Sequence, residues 1–548
     1  MTKDARYVAA LILLAYFFFF LGNGFISLTS PDEVFYAQTA KEMAQHRSWM
    51  TPFLFGQPQF EKPILVYWLL RFAYLLFGVG AFSARFFPAC FALAGVIAVY
   101  FFAKRLFRQE RKAFVCALVL LSAVLYVGLA RTVFTDMVFS VFILLSLSSF
   151  YGAYAAGGRG RRGVLLFFVF SALAVLTKGP LGLIIPLSVV VVFLAFSRRI
   201  GFILGKDVLW GAALFLALAL PWYLFASLRY GQGFLHEFFV NDHLRRLVEA
   251  EHPANDTWFF YPVTMLAGML PWSPFVAIAL GRLWRDRKSL DDGRRFLACW
   301  IAVVLLIFQF AHSKLVSYIF PLFPALAIAG GSLLDDVVTG KQGDRRFFRI
   351  SAAGWFLVLF ATVGVLVAAR RFPAYLSSWR PVQVEVGVLA LWLVLAASFI
   401  VRRMSRAVFG AFVMLVPAFL VIVPFARDDI EPYASSRYAC AYLLEQVPLD
   451  PRASLLCSGD LARGVRFYTD RDVAVFKTEN FFSPHPVPFL ETDDQARRFL
   501  LRQGTTYGFL KKSGWENLLR TMGGEFDVQL LRKIGDQFIV RIRAVRAR

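Results

Sequence analysis

Residues 7–29 form one uninterrupted apolar run with Lys3 and Arg6 in front of it. Twelve more runs follow, at about 82–103, 113–130, 137–156, 164–177, 180–197, 208–228, 259–280, 296–311, 315–334, 351–369, 383–401 and 407–425. About 20 apolar residues are enough to cross the hydrocarbon core of a bilayer as a helix. Apolar runs on this scale exclude an ordinary soluble domain and predict a polytopic α-helical membrane protein with about thirteen transmembrane helices. Composition agrees, since 58% of residues are hydrophobic, only 17% are charged, and 61 are Phe. No small-residue cleavage site of signal-peptide type follows the first run, so it reads as a retained helix with a cytoplasmic N-terminus.

The formal charge of +23 would suggest nucleic acid in a soluble chain. Here the cations are scattered in short clusters between the apolar runs, such as Lys104, Arg105, Arg108, Arg111 and Lys112, or Arg282, Arg285, Arg287, Lys288, Arg294 and Arg295. That distribution is the positive-inside signature of cytoplasmic loops, and it argues against a nucleic-acid partner. Alternation from a cytoplasmic N-terminus puts residues 30–81, 130–136, 229–258 and everything after Arg427 outside. All six His lie on or next to that side, so any chemistry faces outward. The Cys residues have no metal-type spacing; Cys440 and Cys457 could pair outside the cell or remain free buried thiols.

Two domains are expected, a transmembrane unit at 1–427 and an outer α/β domain at 428–548. Within the first outer loop, Ser30, Pro31 and Glu33 read as N-cap, first helical position and capping-box partner of a helix reaching about His46. Its stripe of Phe35, Thr39 and Met43 suits a helix lying in the membrane interface. Ile64 to Phe77, with Tyr67, Trp68 and Tyr74, suits the aromatic belt at headgroup level. In the outer domain, Ser454–Cys457, Val473–Phe476, Tyr507–Leu510 and Phe538–Ile542 read as strands, and Gln495–Arg502 and Trp515–Met522 as helices.

Asp32 and Glu33 open the outer helix, where helix-terminal charge alone could account for them. Asp136 stands at the outer end of another span; a carboxylate entering a membrane is costly enough to be a functional hypothesis, with an ion pair to Arg131 as the structural alternative. Lys62 closes the first outer loop in Phe60-Glu61-Lys62-Pro63, and Lys178 lies in Thr177-Lys178-Gly179-Pro180, a break in an otherwise apolar stretch. A cation at such a break suits a cavity-facing broken helix, although snorkelling to the headgroups would also place it. His312-Ser313-Lys314 with Tyr318, and Asp242-His243-Leu244-Arg245-Arg246, add cations at the same boundary. Outward carboxylates among cations and aromatics beside lipid suit a substrate with a phosphate and a long apolar tail, because cations stabilise phosphate charge.

The ordered set Asp32-Glu33, Phe60-Glu61-Lys62-Pro63, Asp136, Thr177-Lys178-Gly179, His243 and Ser313-Lys314-Leu315 with Tyr318 resembles the polyprenyl-phosphate-dependent membrane glycosyltransferases of the GT-C fold. Within them it is most similar to the bacterial transferases that move 4-amino-4-deoxy-L-arabinose from undecaprenyl phosphate to lipid A, relatives of the protein O-mannosyltransferases. The resemblance implies an inverting glycosyltransferase of the inner membrane, working on its periplasmic face. Its expected partners are an undecaprenyl-phosphate-linked sugar, lipid A or another envelope acceptor, and membrane lipids. It implies Asp32 and Asp136 as the acidic pair at the active site, with Glu33 beside them. Lys62 would bind the lipid-linked phosphate, Lys178 and Tyr318 would line the cavity near it, and Tyr36 and Lys314 belong to the matching motifs. It further implies zinc or another divalent metal on His243 with a Glu of the outer domain, here Glu479, and no nucleotide. The first motif departs from the family's Asp-Glu-x-Arg-Tyr, because Phe35 stands in the Arg position; Arg245 or Arg246 could supply that charge.

Two rival classes remain. A lipid transporter would show repeated halves and polar groups at the bilayer midplane, whereas no repeat is present and the polar residues crowd one boundary. A non-catalytic scaffold has no need of Asp32, Asp136 and Lys62 together on one side. Within the enzyme class, protein hydroxyls or another envelope glycan are the alternative acceptors.

Overall fold

The computed structural model describes the chain except residues 1, 158–159, 239, 241–244, 246–248, 250–252, 340–343, 372–375, 449–453, 477–488, 523 and 545–548. Among the described residues, six helices are long and apolar enough to span a membrane: Ala81–Phe107, Thr135–Ala155, Lys206–Phe238, Phe320–Val338, Arg345–Arg371 and Arg380–Val401. Glu110–Leu121 and Val124–Ala130, bent by 66°, form a seventh if taken as one span. Thirteen spans are therefore not all matched by long apolar helices, for local reasons. The first apolar run is a helix over Lys3–Ala15 that loosens into a π turn at Tyr16–Phe20. Arg161–Lys178 carries Arg161, Arg162 and Lys178, and Asp292–Gln309 carries Asp292, Arg294 and Arg295. Leu181–Phe196 is shorter, and the 259–280 run is divided between Phe260–Gly268 and Ser273–Arg285.

Large apolar side chains such as Leu209, Trp210, Leu228, Phe360 and Val367 are exposed on Lys206–Leu235 and Asp344–Arg371. Patches of that kind are what a lipid-facing surface presents. Basic clusters gather at one end of the bundle, where Lys104 pairs with Asp4 at 2.5 Å, Arg111 with Asp335 at 2.8 Å and Lys112 with Asp336 at 2.7 Å.

Phe53–Leu54 (β1) and Gln57–Pro58 (β2) pair as a short antiparallel hairpin, and the C-terminal domain holds a six-stranded sheet ordered β5-β4-β3-β6-β8-β7. These strands are β3 (Leu455–Cys457), β4 (Val473–Phe476), β5 (Phe489–Leu490), β6 (Thr505–Leu510), β7 (Phe526–Ile534) and β8 (Gln537–Ala544). The first four pair in parallel, and β6-β8-β7 is antiparallel. Four strands and two helices fall where the sequence places them. The two edge strands β5 and β7 and the helices Arg427–Ala434, Arg437–Gln446 and Gly459–Thr469 are additions. Cys440 and Cys457 are both free and buried.

The outer loop differs from its expected form in three respects. Its helix runs Asp32–Gln45, and Glu33 reaches back to Thr29, accepting from both its N–H and its hydroxyl at 3.0 Å; Ser30 plays no such part. That helix does not lie bare in the interface: Phe35, Thr39 and Met43 are all buried, and Gly459–Thr469 packs over it. In Leu65–Phe77, Tyr67 and Tyr74 turn inward, with Gln59 donating to the Tyr67 hydroxyl at 2.9 Å, while Phe72, Leu75, Leu76 and Phe77 form the exposed face.

Candidate active site

Glu33 ties together the elements around the candidate site. It is fully buried, and its carboxylate accepts from Arg85 Nε at 2.8 Å, Arg85 Nη2 at 2.5 Å and Val133 N at 3.0 Å, besides Thr29. Arg85 continues to the carbonyls of Asn23, Ile26 and Ser27 at 3.0, 2.7 and 3.1 Å. Burial alone would raise the Glu33 carboxyl, but the bonds and charge of Arg85 with the Thr29 and Val133 N–H groups outweigh it and hold the carboxyl below the usual range. The two oxygens are thus committed to structure. Glu33 joins the Asp32 helix to Val133, two residues before the Thr135–Ala155 helix that carries Asp136. Asp32, one residue earlier, is exposed at the rim.

Asp136 is buried and pairs with Lys178, not with Arg131. Arg131 instead donates to the Phe18 and Leu21 carbonyls at 3.2 and 3.0 Å. Lys178 ends the Arg161–Lys178 helix, and Gly179, at φ +92°, turns the chain into Leu181–Phe196. The ammonium lies 4.8 Å from the Tyr318 ring centroid and 5.6 Å from that of Phe139, a cation–π arrangement. The broken helix delivers its cation to a carboxylate and an aromatic on two other elements. Tyr36 links this group to the rim, its ring 6.3 Å from both Phe134 and Tyr67.

Lys62 is buried, with Nζ 3.2 Å from Glu61 Oε1 and 3.3 Å from the Glu61 carbonyl. Glu42 fixes the preceding hairpin by accepting from Phe55 N and Gly56 N at 3.1 and 2.8 Å, and Gln59 accepts from Glu61 N at 3.1 Å. Phe60 N donates to Glu237 at 3.0 Å. Phe60, Tyr36, Val133, Leu176 and Phe467 belong to one buried apolar cluster, which brings four distant stretches of the chain to a common site.

Lys314 is directed to the outer loop, where it pairs with Asp256 at 2.7 Å, and His312 lies 2.8 Å from the other oxygen of that carboxylate. Lys314 and His312 hold the Asp256 carboxyl below its ordinary range. Arg245 forms an exposed pair with Glu249 at 2.6 Å. His243, Arg246 and Glu479 lie outside the described residues, and no group of three His, Cys, Asp or Glu able to hold a metal occurs among the described ones. The sequence reading passed over Arg85, Asp256 and Arg463. Arg85 could have been found, since it is a lone arginine inside an apolar run.

This helical bundle with a C-terminal sheet domain has the architecture of an integral-membrane protein of the GT-C type. ArnT from Cupriavidus metallidurans, solved bound to undecaprenyl phosphate, shares the fold: the TM-score is 0.79 at 19% identity, with 98% of each chain covered. The family model for dolichyl-phosphate-mannose-protein mannosyltransferase matches residues 5–232. Undecaprenyl phosphate-α-4-amino-4-deoxy-L-arabinose arabinosyl transferase 1 of Sodalis glossinidius is 31% identical over 411 residues, 72% of each chain. The transferase of that name from Aeromonas hydrophila is 32% identical over 366 residues, 66% of this chain and 65% of the relative, so the match spans just under two thirds of that relative. The chain belongs to the undecaprenyl phosphate-α-4-amino-4-deoxy-L-arabinose arabinosyl transferase family.

Proposed function

We propose that the chain moves 4-amino-4-deoxy-L-arabinose from undecaprenyl phosphate to a lipid A phosphate on the periplasmic side of the inner membrane. What supports this reading is the buried Asp136–Lys178 pair beside Tyr318 and the buried Lys62 beside Glu61, carried by stretches of chain that one apolar cluster joins. The acceptor oxygen attacks the anomeric carbon as its bond to the donor phosphate breaks, with inversion, and the electron pair leaves on undecaprenyl phosphate. Lys62 and Lys178 stabilise phosphate charge, which replaces an acid catalyst for this leaving group. Tyr318 and Tyr36 would line the donor site, and Arg245 would add positive charge to it. Asp136 positions Lys178, while Glu33 holds the two acidic elements together. A lipid A phosphate is already anionic and needs little general base, so Asp32 orients it; a hydroxyl acceptor would require Asp32 to take its proton.

The reading includes thirteen spans, N-terminus in and C-terminus out, with the domain boundary at 427/428. The shorter and bent helices, which fill the intervals between the long ones, support it. Its metal component, His243 with Glu479, is tested by whether chelation followed by zinc addition changes turnover. The decisive experiment for the function is incubation of the purified protein with undecaprenyl-phosphate-linked aminoarabinose and lipid A. A gain in lipid A mass of one or two aminoarabinose units is expected. Active protein that modifies only another acceptor, such as a protein hydroxyl, would replace the lipid A assignment.

A further inference from the structure

The Gly459–Thr469 helix of the outer domain is clamped onto the Asp32–Gln45 helix. Lys41 Nζ donates to the Phe467 carbonyl at 2.8 Å and pairs with Asp470 at 2.8 Å, Arg466 lies 3.7 Å from Glu42, and Leu28 N donates to the Tyr468 hydroxyl at 3.1 Å. A Cβ on Gly464 would sit 2.6 Å from Ser30 Oγ and 2.8 Å from Ser436 Oγ, so these two serine side chains close over the glycine. The preceding residue on this helix, Arg463, has its guanidinium carbon 5.1 Å from the centroid of the Phe35 ring.

Phe35 stands where the first motif of the family this chain resembles carries an arginine. The guanidinium that covers this ring is therefore a cation brought to the motif by another domain. Burial pushes the Arg463 pKa down, while Glu61, Asp32, Asp460 and Tyr36 oppose that shift, so the acidic groups around it are those of the rim. Arginine stays charged in such a setting, and its planar fork of five N–H donors can hold a carboxylate and a phosphate together.

We propose that Arg463 binds the phosphate of the lipid-linked donor, replacing from the outer domain the arginine that the first motif lacks. The proposal rests on the donor reading above. It makes the outer domain part of the substrate site and not an appendage to it. The donor is a phosphodiester, and its phosphate gains a charge as the sugar–oxygen bond breaks, so a guanidinium there favours the leaving group as well as binding.

The test is undecaprenyl phosphate binding to the full-length, detergent-purified protein. Arg463→Gln keeps most of the stem over Phe35 and removes the charge, and is expected to weaken binding roughly 10- to 100-fold. Arg463→Lys, which keeps charge but loses the fork, is expected to fall between. Phe35→Arg combined with Arg463→Gln returns a guanidinium to the same place and is expected to recover most of the affinity. Unchanged affinity in Arg463→Gln, with or without a loss of thermal stability, would overturn the proposal and leave the donor reading intact. Failure of the wild-type protein to bind undecaprenyl phosphate would remove the donor reading and this proposal together.

Discussion

Replacing Glu33 with Gln preserves shape while removing the charge that faces Arg85. The carboxylate receives bonds from Arg85 Nε and Nη2, from Thr29 N and Oγ1 and from Val133 N, all at 2.5–3.0 Å. Gln retains one acceptor oxygen and turns an NH₂ group toward donors, leaving a buried guanidinium without its partner. Breaking a buried pair in this way costs about 3–5 kcal/mol. Arg85→Met should cost a similar amount by stranding Glu33. The double variant should cost less than the sum, with a coupling of about 1–3 kcal/mol, because neither charge is then left alone. Detergent-solubilised protein unfolded with SDS and followed by tryptophan fluorescence measures all three. Single-variant costs below about 1 kcal/mol, or strict additivity, would refute the reasoning. The pH dependence has a definite sign: a carboxyl lowered in the folded state stabilises fully above its unfolded pKa of about 4.3, and that contribution is lost as pH falls through the lower folded value. Glu33→Gln should remove this acid-side loss.

Three further outcomes are expected. A Cβ at Gly182 would lie 2.3 Å from Val175 N and 2.5 Å from Ala174 C, so Gly182→Ala should force apart the hairpin that presents Lys178, costing about 1–3 kcal/mol and lowering turnover. Wild-type stability and turnover would contradict it. Lys62→Ala should weaken undecaprenyl phosphate binding more than it lowers thermal stability; unchanged affinity would reduce Lys62 to a snorkelling anchor. Asp256→Asn should increase labelling of Lys314 by a water-soluble amine reagent relative to wild type at the same mildly alkaline pH. Equal labelling of the variant and wild type would show that the pair does not shield Lys314.

The sequence disclosed elements that depend on local pattern. Thr177-Lys178-Gly179-Pro180 reads as a helix break because Gly and Pro punctuate an apolar run, and the break is there. The central strands of the outer sheet are legible for the same reason, being short apolar runs between polar ones. Partner choice was less legible, since Asp136 has Arg131 five positions away yet pairs with Lys178, 42 residues distant, because helix packing decides which cation arrives. The Gly459–Thr469 helix was missed although Leu461, Ala462 and Val465 form a buried helical stripe behind Ser458. Without that helix, neither the cover over Phe35 nor the cation from Arg463 could be foreseen. The β7 strand, with Arg532 and Lys533 at a bulged edge, lacks the apolar run that marks the others.

The most direct measurement is turnover of undecaprenyl-phosphate-linked aminoarabinose with lipid A by the wild-type, Asp32→Asn and Asp136→Asn proteins, at equal amounts of folded, membrane-inserted protein. Asp136→Asn should sharply lower turnover by releasing Lys178. Asp32→Asn should also lower it, by about 10²–10⁴-fold if Asp32 takes a proton from the acceptor. Near wild-type turnover in both would contradict the assignment of this outer-face assembly as the active site.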